Sequence, residues 1–168
     1  MGKKIGISVM GRFAAAKVLT SSASKSYTHV ISFGTNEPEQ FPPSGFSEHS
    51  GKKLRLIFHD VTWSRHNLIA PEHKQIVELI NFIKTDLGSK DSNFLIHCWA
   101  GQSRSTAAAL ILIQIIHNDV VAACKALLNI VPHAKPNLLM IKYADSILSC
   151  GGKLIEAVEV IHENAKKV

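Results

Sequence analysis

The chain has 168 residues, 46% of them hydrophobic and 19% charged, which is enough for one domain with a sizeable core and too apolar for a disordered chain. Its 19 basic and 13 acidic residues leave a net charge of +6, a balance that suits an anionic ligand and equally serves solubility. No apolar run reaches the ~18 residues of a membrane span. The piece Ile5–Met10 is too short for a signal-peptide core, and Gly6 stands where a myristoylation motif at Gly2 needs Ser or Thr. The expectation is a single domain over 1–168, cytoplasmic, with no membrane anchor.

In chain order, short apolar runs predict strands at Ile5–Val9 and His29–Phe33. The segment Gly34–Lys53 is rich in Pro, Gly, Ser and Glu, with Pro38, Pro42, Pro43 and Gly45, and reads as a surface loop within the domain. A third strand is expected at Leu54–Phe58. Pro71 opens a predicted helix to Leu87, with Ile76, Ile80, Ile83 and Leu87 at helical spacing and Gly88 ending it. A fourth strand follows at Phe94–His97. Ser105–His117 is apolar almost all round and predicts a buried central helix. Further helices are expected at Val120–Ile130, Asn137–Ser149 and Lys153–Glu163, the last two separated by Gly151-Gly152.

The middle of the chain therefore reads βαβα, which predicts an α/β fold with a mostly parallel central sheet flanked by helices. Strands joined by a crossover helix are expected to be parallel and close neighbours. The strand ends near Asp60 and Cys98, 38 residues apart, then meet at one edge of the sheet, where such proteins bind ligands.

The stretch His97-Cys98-Trp99-Ala100-Gly101-Gln102-Ser103-Arg104-Ser105-Thr106 joins the fourth strand to the central helix. The five residues Trp99, Ala100, Gly101, Gln102 and Ser103 separate Cys98 from Arg104. Such a loop can turn its N–H groups inward as a nest for an anion, and the following helix adds its positive end. Gly101 supplies an unusual backbone angle. Arg104 can grip two phosphate oxygens with its planar fork. Cys98 lies in the same positive field, which favours the thiolate, a nucleophile in line with a bound phosphorus. Ser105 is placed to donate to the sulfur when it leaves, and His97 to orient the loop from behind.

A lone Cys six residues before an Arg is a weak signal, and a Cys at a strand end is usually a small apolar residue. Here the pattern coincides with a strand-to-helix junction. Cys124, in an apolar helix, and Cys150, at a helix end, read as structural. Three cysteines without CxxC spacing argue against a disulfide framework or a zinc site. No metal or cofactor is expected.

The segment His97–Thr106 resembles the signature loop of the protein tyrosine phosphatase superfamily, HCxxGxSRS. The likeness to its compact dual-specificity-type members runs over roughly residues 54–150 and takes in Asp60, Pro71 and Pro136-Asn137. The first 50 residues match loosely. The resemblance implies Cys98 as nucleophile, Arg104 as phosphate clamp, Ser105 as helper for thiolate departure and Asp60 as general acid, with Asn137 in a supporting loop. The loop lacks the lysines typical of phosphoinositide-directed members. Trp99 and Gln102 stand at its variable positions, which leaves phosphotyrosine, phosphoserine/threonine and non-protein phosphoesters open.

A leaving oxygen needs a proton as its P–O bond breaks. Asp60 is the first candidate donor, with His59 and His66 as neighbours able to do similar work. Glu72 reads as an acidic residue complementing a helix start. Trp63 and Trp99 are placed to shape the pocket mouth. The expected activity is hydrolysis of phosphomonoesters, on a phosphorylated protein or small phosphoester, through a phosphocysteine. The rivals are a phosphate-binding module without turnover and a rhodanese-type sulfurtransferase. No stripe of aromatic and basic residues marks a nucleic-acid groove, so a nucleic-acid partner is not expected.

Overall fold

The computed structural model describes residues 4–36, 40–85, 87 and 91–165. Pro38 of the expected loop and Gly88 as the expected helix end lie outside the described residues. Strands β1 (Ile5–Gly11), β2 (His29–Gly34), β3 (Lys52–Ile57) and β4 (Ser92–Cys98) form one parallel sheet in the order β1-β4-β2-β3. All of β2 is buried, as a near-continuous apolar run in a two-faced parallel sheet should be.

Helices are α1 (Arg12–Leu19), α2 (His73–Lys84), α3 (Arg104–His117), α4 (Val120–Ile130), α5 (Leu138–Ile147) and α6 (Lys153–Asn164). The chain is thus the expected α/β fold with a central parallel sheet flanked by helices. No helix among the described residues is long and apolar enough to cross a membrane.

One expectation about neighbours fails. β3 and β4 run parallel but do not pair, because β2 lies between them. The β1–α1–β2 crossover similarly passes over β4. The two connections run in opposite directions along the sheet, so the right-handed rule puts their helices on opposite faces. Accordingly α1 covers a small core of Ala15, Leu19, Val30, Phe46 and Leu95. Helix α2 lies over the main core, where Ile76, Leu79, Ile80 and Ile83 meet Phe33, Phe58 and Ile96.

Helix α3 is buried from Arg104 to Gln114, so its apolar circumference has partners all round. It begins at the loop after β4, so the central helix aims its N-terminus at the C-terminal edge of the sheet. Helix α2 starts at His73 rather than Pro71, because Glu72 caps it and exchanges hydrogen bonds with Gln75 in a capping box.

The segment between β2 and β3 is more than a surface excursion. Phe46 is buried against α1, and Pro43 and His49 are also buried. Gly45 makes this seating possible. It holds φ +84, and a Cβ there would lie 2.7 Å from the Leu19 carbonyl carbon and oxygen. Gly45→Ala is therefore expected to lower stability by about 2 kcal/mol through strain and displacement of the loop. Urea unfolding measures this, and a variant as stable as the parent would show that the loop is not seated on α1.

Candidate active site

The loop from Cys98 to Arg104 is held from outside by its carbonyls. The Arg12 N–H donates to the Trp99 oxygen at 3.0 Å, the Lys135 N–H to that of Gln102 at 2.8 Å, and the Asn137 N–H to that of Ser103 at 3.3 Å. The Thr106 hydroxyl also donates to the Gln102 oxygen. Gly101 turns the chain at φ +76 directly against β1, where a Cβ would meet the Met10 carbonyl carbon at 2.6 Å. A side chain there would push the loop off the sheet.

Inside this frame the Gly101 N–H donates to Cys98 Sγ at 3.2 Å, and the Ser105 hydroxyl lies 3.2 Å from the same sulfur. Cys98 is only 2% exposed, so the sulfur sits on the floor beneath the loop, among polar hydrogens. Arg104 is buried and donates from a terminal guanidinium nitrogen to the Phe58 carbonyl at 3.0 Å. It thereby reaches from the loop to the end of β3. Ser103 precedes α3 but does not cap it. Its hydroxyl goes to Asp60 instead, at 2.6 Å. The helix thus begins without a side chain over its positive end, an arrangement suited to an anion.

Asp60 lies on the exposed connection after β3. Its Oδ1 accepts from both Ser103 and the Asn137 side-chain amide, the latter at 2.8 Å. Asn137 in turn caps α5, with its Oδ1 accepting from the Leu139 and Met140 N–H groups at 3.1 Å. One buried amide therefore ties the α4–α5 connection to the Asp60 loop. His59 points elsewhere, its Nδ1 accepting from the Ile69 N–H at 2.9 Å. His66 is exposed in the turn that Arg65 and Leu68 close. Glu72 is the cap of α2 and pairs with Lys74 at 2.7 Å. The fold thus brings Cys98, Gly101, Ser103, Arg104, Ser105, Asp60 and Asn137 together and leaves His66 and Glu72 outside their hydrogen-bond network. The Trp99 ring packs edge-on against Phe13 at 5.7 Å rather than lying inside the loop.

Behind the loop, His97 is fully buried. Its Nε2 lies 2.7 Å from the Ser32 hydroxyl, whose oxygen accepts from Arg55 at 2.6 Å. The Cys98 carbonyl, 3.5 Å from Nδ1, can only accept, so the proton of the neutral ring sits on Nδ1 and the Ser32 hydroxyl donates to Nε2. Ser32 and Arg55 were not singled out from the sequence. The available signal was a polar residue in the otherwise apolar core of β2, facing the same side as His97 across paired strands. Cys124 and Cys150 are free thiols away from this loop, and burial pushes both up.

The family model described as protein-tyrosine phosphatase matches residues 20–139, beginning well before residue 54, where the resemblance in the sequence was placed. No curated protein matches the chain significantly. Among solved structures, the human tyrosine phosphatase-like serine/threonine/tyrosine-interacting protein is similar at a TM-score of 0.67 and 18% identity, covering 87% of this chain and 93% of its own. Tk-PTP in its active form gives a TM-score of 0.63 at 14% identity over 87% of this chain and 92% of its own. PTPMT1 in complex with PI(5)P gives 0.56 at 18% identity over 95% and 94%. The chain belongs to the protein-tyrosine phosphatase family and has the fold of its compact, dual-specificity-like members.

Burial pushes His97 down to about 4 from its ordinary 6.5, with the nearby arginines Arg55, Arg12 and Arg104 adding to the effect and the Cys98 carbonyl opposing it. The unfolded chain then binds a proton near pH 6.5 that the folded chain refuses until about pH 4. The stability from neutral His97 is complete above pH 6.5 and falls by about 3 kcal/mol as pH drops towards 4. Urea unfolding of the parent and of His97→Asn across this range is expected to show that component in the parent alone.

Proposed function

We propose that this chain is a cysteine phosphatase that hydrolyses phosphomonoesters through a phosphocysteine on Cys98, and that residues 1–168 act as one phosphatase unit in the cytoplasm. Family membership supports phosphatase chemistry. The observation that carries the mechanism is the convergence of the Gly101 N–H and the Ser105 hydroxyl on the Cys98 sulfur, at the start of an uncapped buried helix.

In the first step the Cys98 thiolate attacks phosphorus and the bond to the leaving oxygen breaks. Inward N–H groups from Trp99 to Ser103, the α3 terminus and the Arg104 guanidinium hold the phosphoryl oxygens as their charge develops. Asp60 gives its proton to the leaving oxygen. Its geometry favours this division of labour. Oδ1 takes the bonds from Ser103 and Asn137, while Oδ2 takes none among the described residues. One oxygen fixes the carboxyl and the other is left to carry the proton. In the second step water attacks the phosphocysteine and returns a proton to Asp60. The sulfur departs as a thiolate, received by the Ser105 hydroxyl and the Gly101 N–H.

Phosphotyrosine and dual-specificity protein substrates remain the first expectation. Because the similar PTPMT1 was solved with PI(5)P, lipid phosphomonoesters belong in the same substrate panel. Cys98→Ser is expected to abolish turnover, and rapid-quench mixing of the parent with p-nitrophenyl phosphate to trap phosphate on Cys98. Turnover without a trapped phosphocysteine, or turnover in Cys98→Ser, would sink this reading. Asp60→Asn is expected to lower kcat about 100-fold on an alkyl phosphate and much less on p-nitrophenyl phosphate, because an alkoxide needs the proton more. Equal losses on the two substrates would assign Asp60 to holding Ser103 alone.

A further inference from the structure

We propose that the mouth of the Cys98–Arg104 loop is ringed by a docking surface for an anionic lipid bilayer. The proposal rests on the phosphatase reading only for what the mouth does once it is placed there. Four aromatic side chains are exposed among the described residues: Phe13 (70%), Phe41 (69%), Trp63 (62%) and Trp99 (43%). They come from four separate segments, and hydrogen bonds or ring contacts tie each segment to the same loop.

Trp99 belongs to the loop, and Phe13 packs on its ring at 5.7 Å. Arg12, next to Phe13, donates its N–H to the Trp99 carbonyl and its guanidinium to the Phe41 carbonyl at 2.8 Å. Trp63 follows Asp60, which Ser103 of the loop holds. Exposed Ile69 rejoins the base of the same connection through His59. Large exposed apolar side chains cost water contacts wherever they stand. Among the described residues the exposed Phe and Trp side chains stand on segments joined to the Cys98–Arg104 loop, while the exposed aliphatic Ile116, Val121, Ile130 and Val160 lie on α3, α4 and α6.

Charge accompanies the rings. Arg12 adjoins Phe13 and donates to the Phe41 carbonyl, the Arg65 guanidinium lies 5.5 Å from the centre of the Trp63 ring, and exposed Lys135 flanks Gln102. The acidic groups near them are Asp60, which is hydrogen-bonded to Ser103 and Asn137, and exposed Glu48, which lines the hollow beside Phe41. Tryptophan and phenylalanine beside arginine and lysine is the combination that enters the headgroup layer of an anionic leaflet. A bilayer is favoured over a peptide because the rings do not share one groove: Phe13 packs on Trp99, Phe41 borders an open hollow running to Leu19 and Glu48, and Trp63 borders another. The depression beside the mouth, lined by Asp60, Val61, Thr62, Trp63 and Arg65, holds about 240 Å³, less than the ~300 Å³ at which small-ligand pockets begin. Docked this way, the loop faces phosphate groups in the plane of the lipid heads.

The chain has two tryptophans, Trp63 and Trp99, so its tryptophan emission reports on this rim alone. With the full chain, vesicles of phosphatidylcholine and phosphatidylserine are expected to shift the emission to the blue, and brominated acyl chains to quench it. Pure phosphatidylcholine should do neither, and raised salt should weaken the effect. Phe13→Ser with Phe41→Ser is expected to weaken vesicle affinity at least tenfold in co-sedimentation, with p-nitrophenyl phosphate turnover retained as the check on folding. No blue shift, unquenched tryptophans on bound protein, or undiminished affinity in the double variant would overturn the proposal. So would a tenfold loss of kcat/KM on a soluble phosphotyrosine peptide in a double variant whose vesicle affinity is unchanged, which would assign the rim to a protein partner. Parent turnover of p-nitrophenyl phosphate tests the phosphatase reading separately, without vesicles.

Discussion

An anion nest needs several consecutive N–H groups turned to one side, and a peptide loop has no internal reason to hold that shape. Here the reason is external. The carbonyls of Trp99, Gln102 and Ser103 are taken by N–H groups of Arg12, Lys135 and Asn137, from the β1–α1 junction and the α4–α5 connection. A peptide unit whose oxygen is drawn outward presents its hydrogen to the opposite side, which turns the N–H groups of Ala100, Ser103 and Arg104 inward, and the Gly101 N–H on the peptide unit between them reaches the sulfur. The positive floor of the site is therefore a consequence of where three donors on other elements stand. Gly101 is the residue without which the loop cannot lie flat enough against Met10 and Gly11 for them to reach it.

Placing those donors is the work of the sheet. β4 lies between β1 and β2, so its C-terminal end has the end of β1 on one side and, across β2, the end of β3 on the other. The intervening strand opens a gap between the Asp60 and Cys98 connections. Arg104 spans it to the Phe58 carbonyl and Ser103 spans it to Asp60. Adjacent strands would have crowded the long Arg104 side chain. On the reverse side of β4, His97, Ser32 and Arg55 line one row across three strands. A neutral, buried imidazole whose Nε2 is filled by Ser32 can offer only Nδ1 to the Cys98 carbonyl. The row fixes the strand end from behind, as the carbonyl acceptors fix the loop from in front.

Much of this was legible in the sequence because it follows from local rules. The apolar circumference of α3 and the two-residue break at Gly151-Gly152 gave their elements within a residue or two of the observed ends, and the helical spacing of Ile76, Ile80 and Ile83 gave α2, which stops at Lys84, three residues short of the expected Leu87. The Cys98–Arg104 junction was legible for the same reason. Helix α1 was not, because Arg12–Leu19 buries only Ala15 and Leu19 and so carries no apolar stripe. Glu72 with Gln75 was a readable start signal, but Pro71 drew the boundary two residues early. Strand order was not legible at all. Local sequence fixes that β3 and β4 are parallel, while the insertion of β2 between them depends on which faces the crossovers choose. The seating of Phe46 depends on a single apolar residue in a polar segment, which no periodicity marks.

Asp60 shows why a site of this kind is assembled from loops yet behaves as a rigid unit. It lies after β3, Ser103 after β4 and Asn137 before α5, and each connection alone is free to move. Two hydrogen bonds onto one carboxylate oxygen join all three. The cap that Asn137 places on α5 anchors the join to a helix packed on the core. The bonds that the Leu139 and Met140 N–H groups donate to its Oδ1 hold the Asn137 amide in place, so its NH2 hydrogens are aimed at Asp60 and the Val61 carbonyl. Movement of the Asp60 connection must therefore break a buried amide's hydrogen bonds, at a cost of about 1–3 kcal/mol. That is enough to keep the carboxyl at the loop most of the time, and small enough that the proposed binding of a phosphate in the loop would offset it.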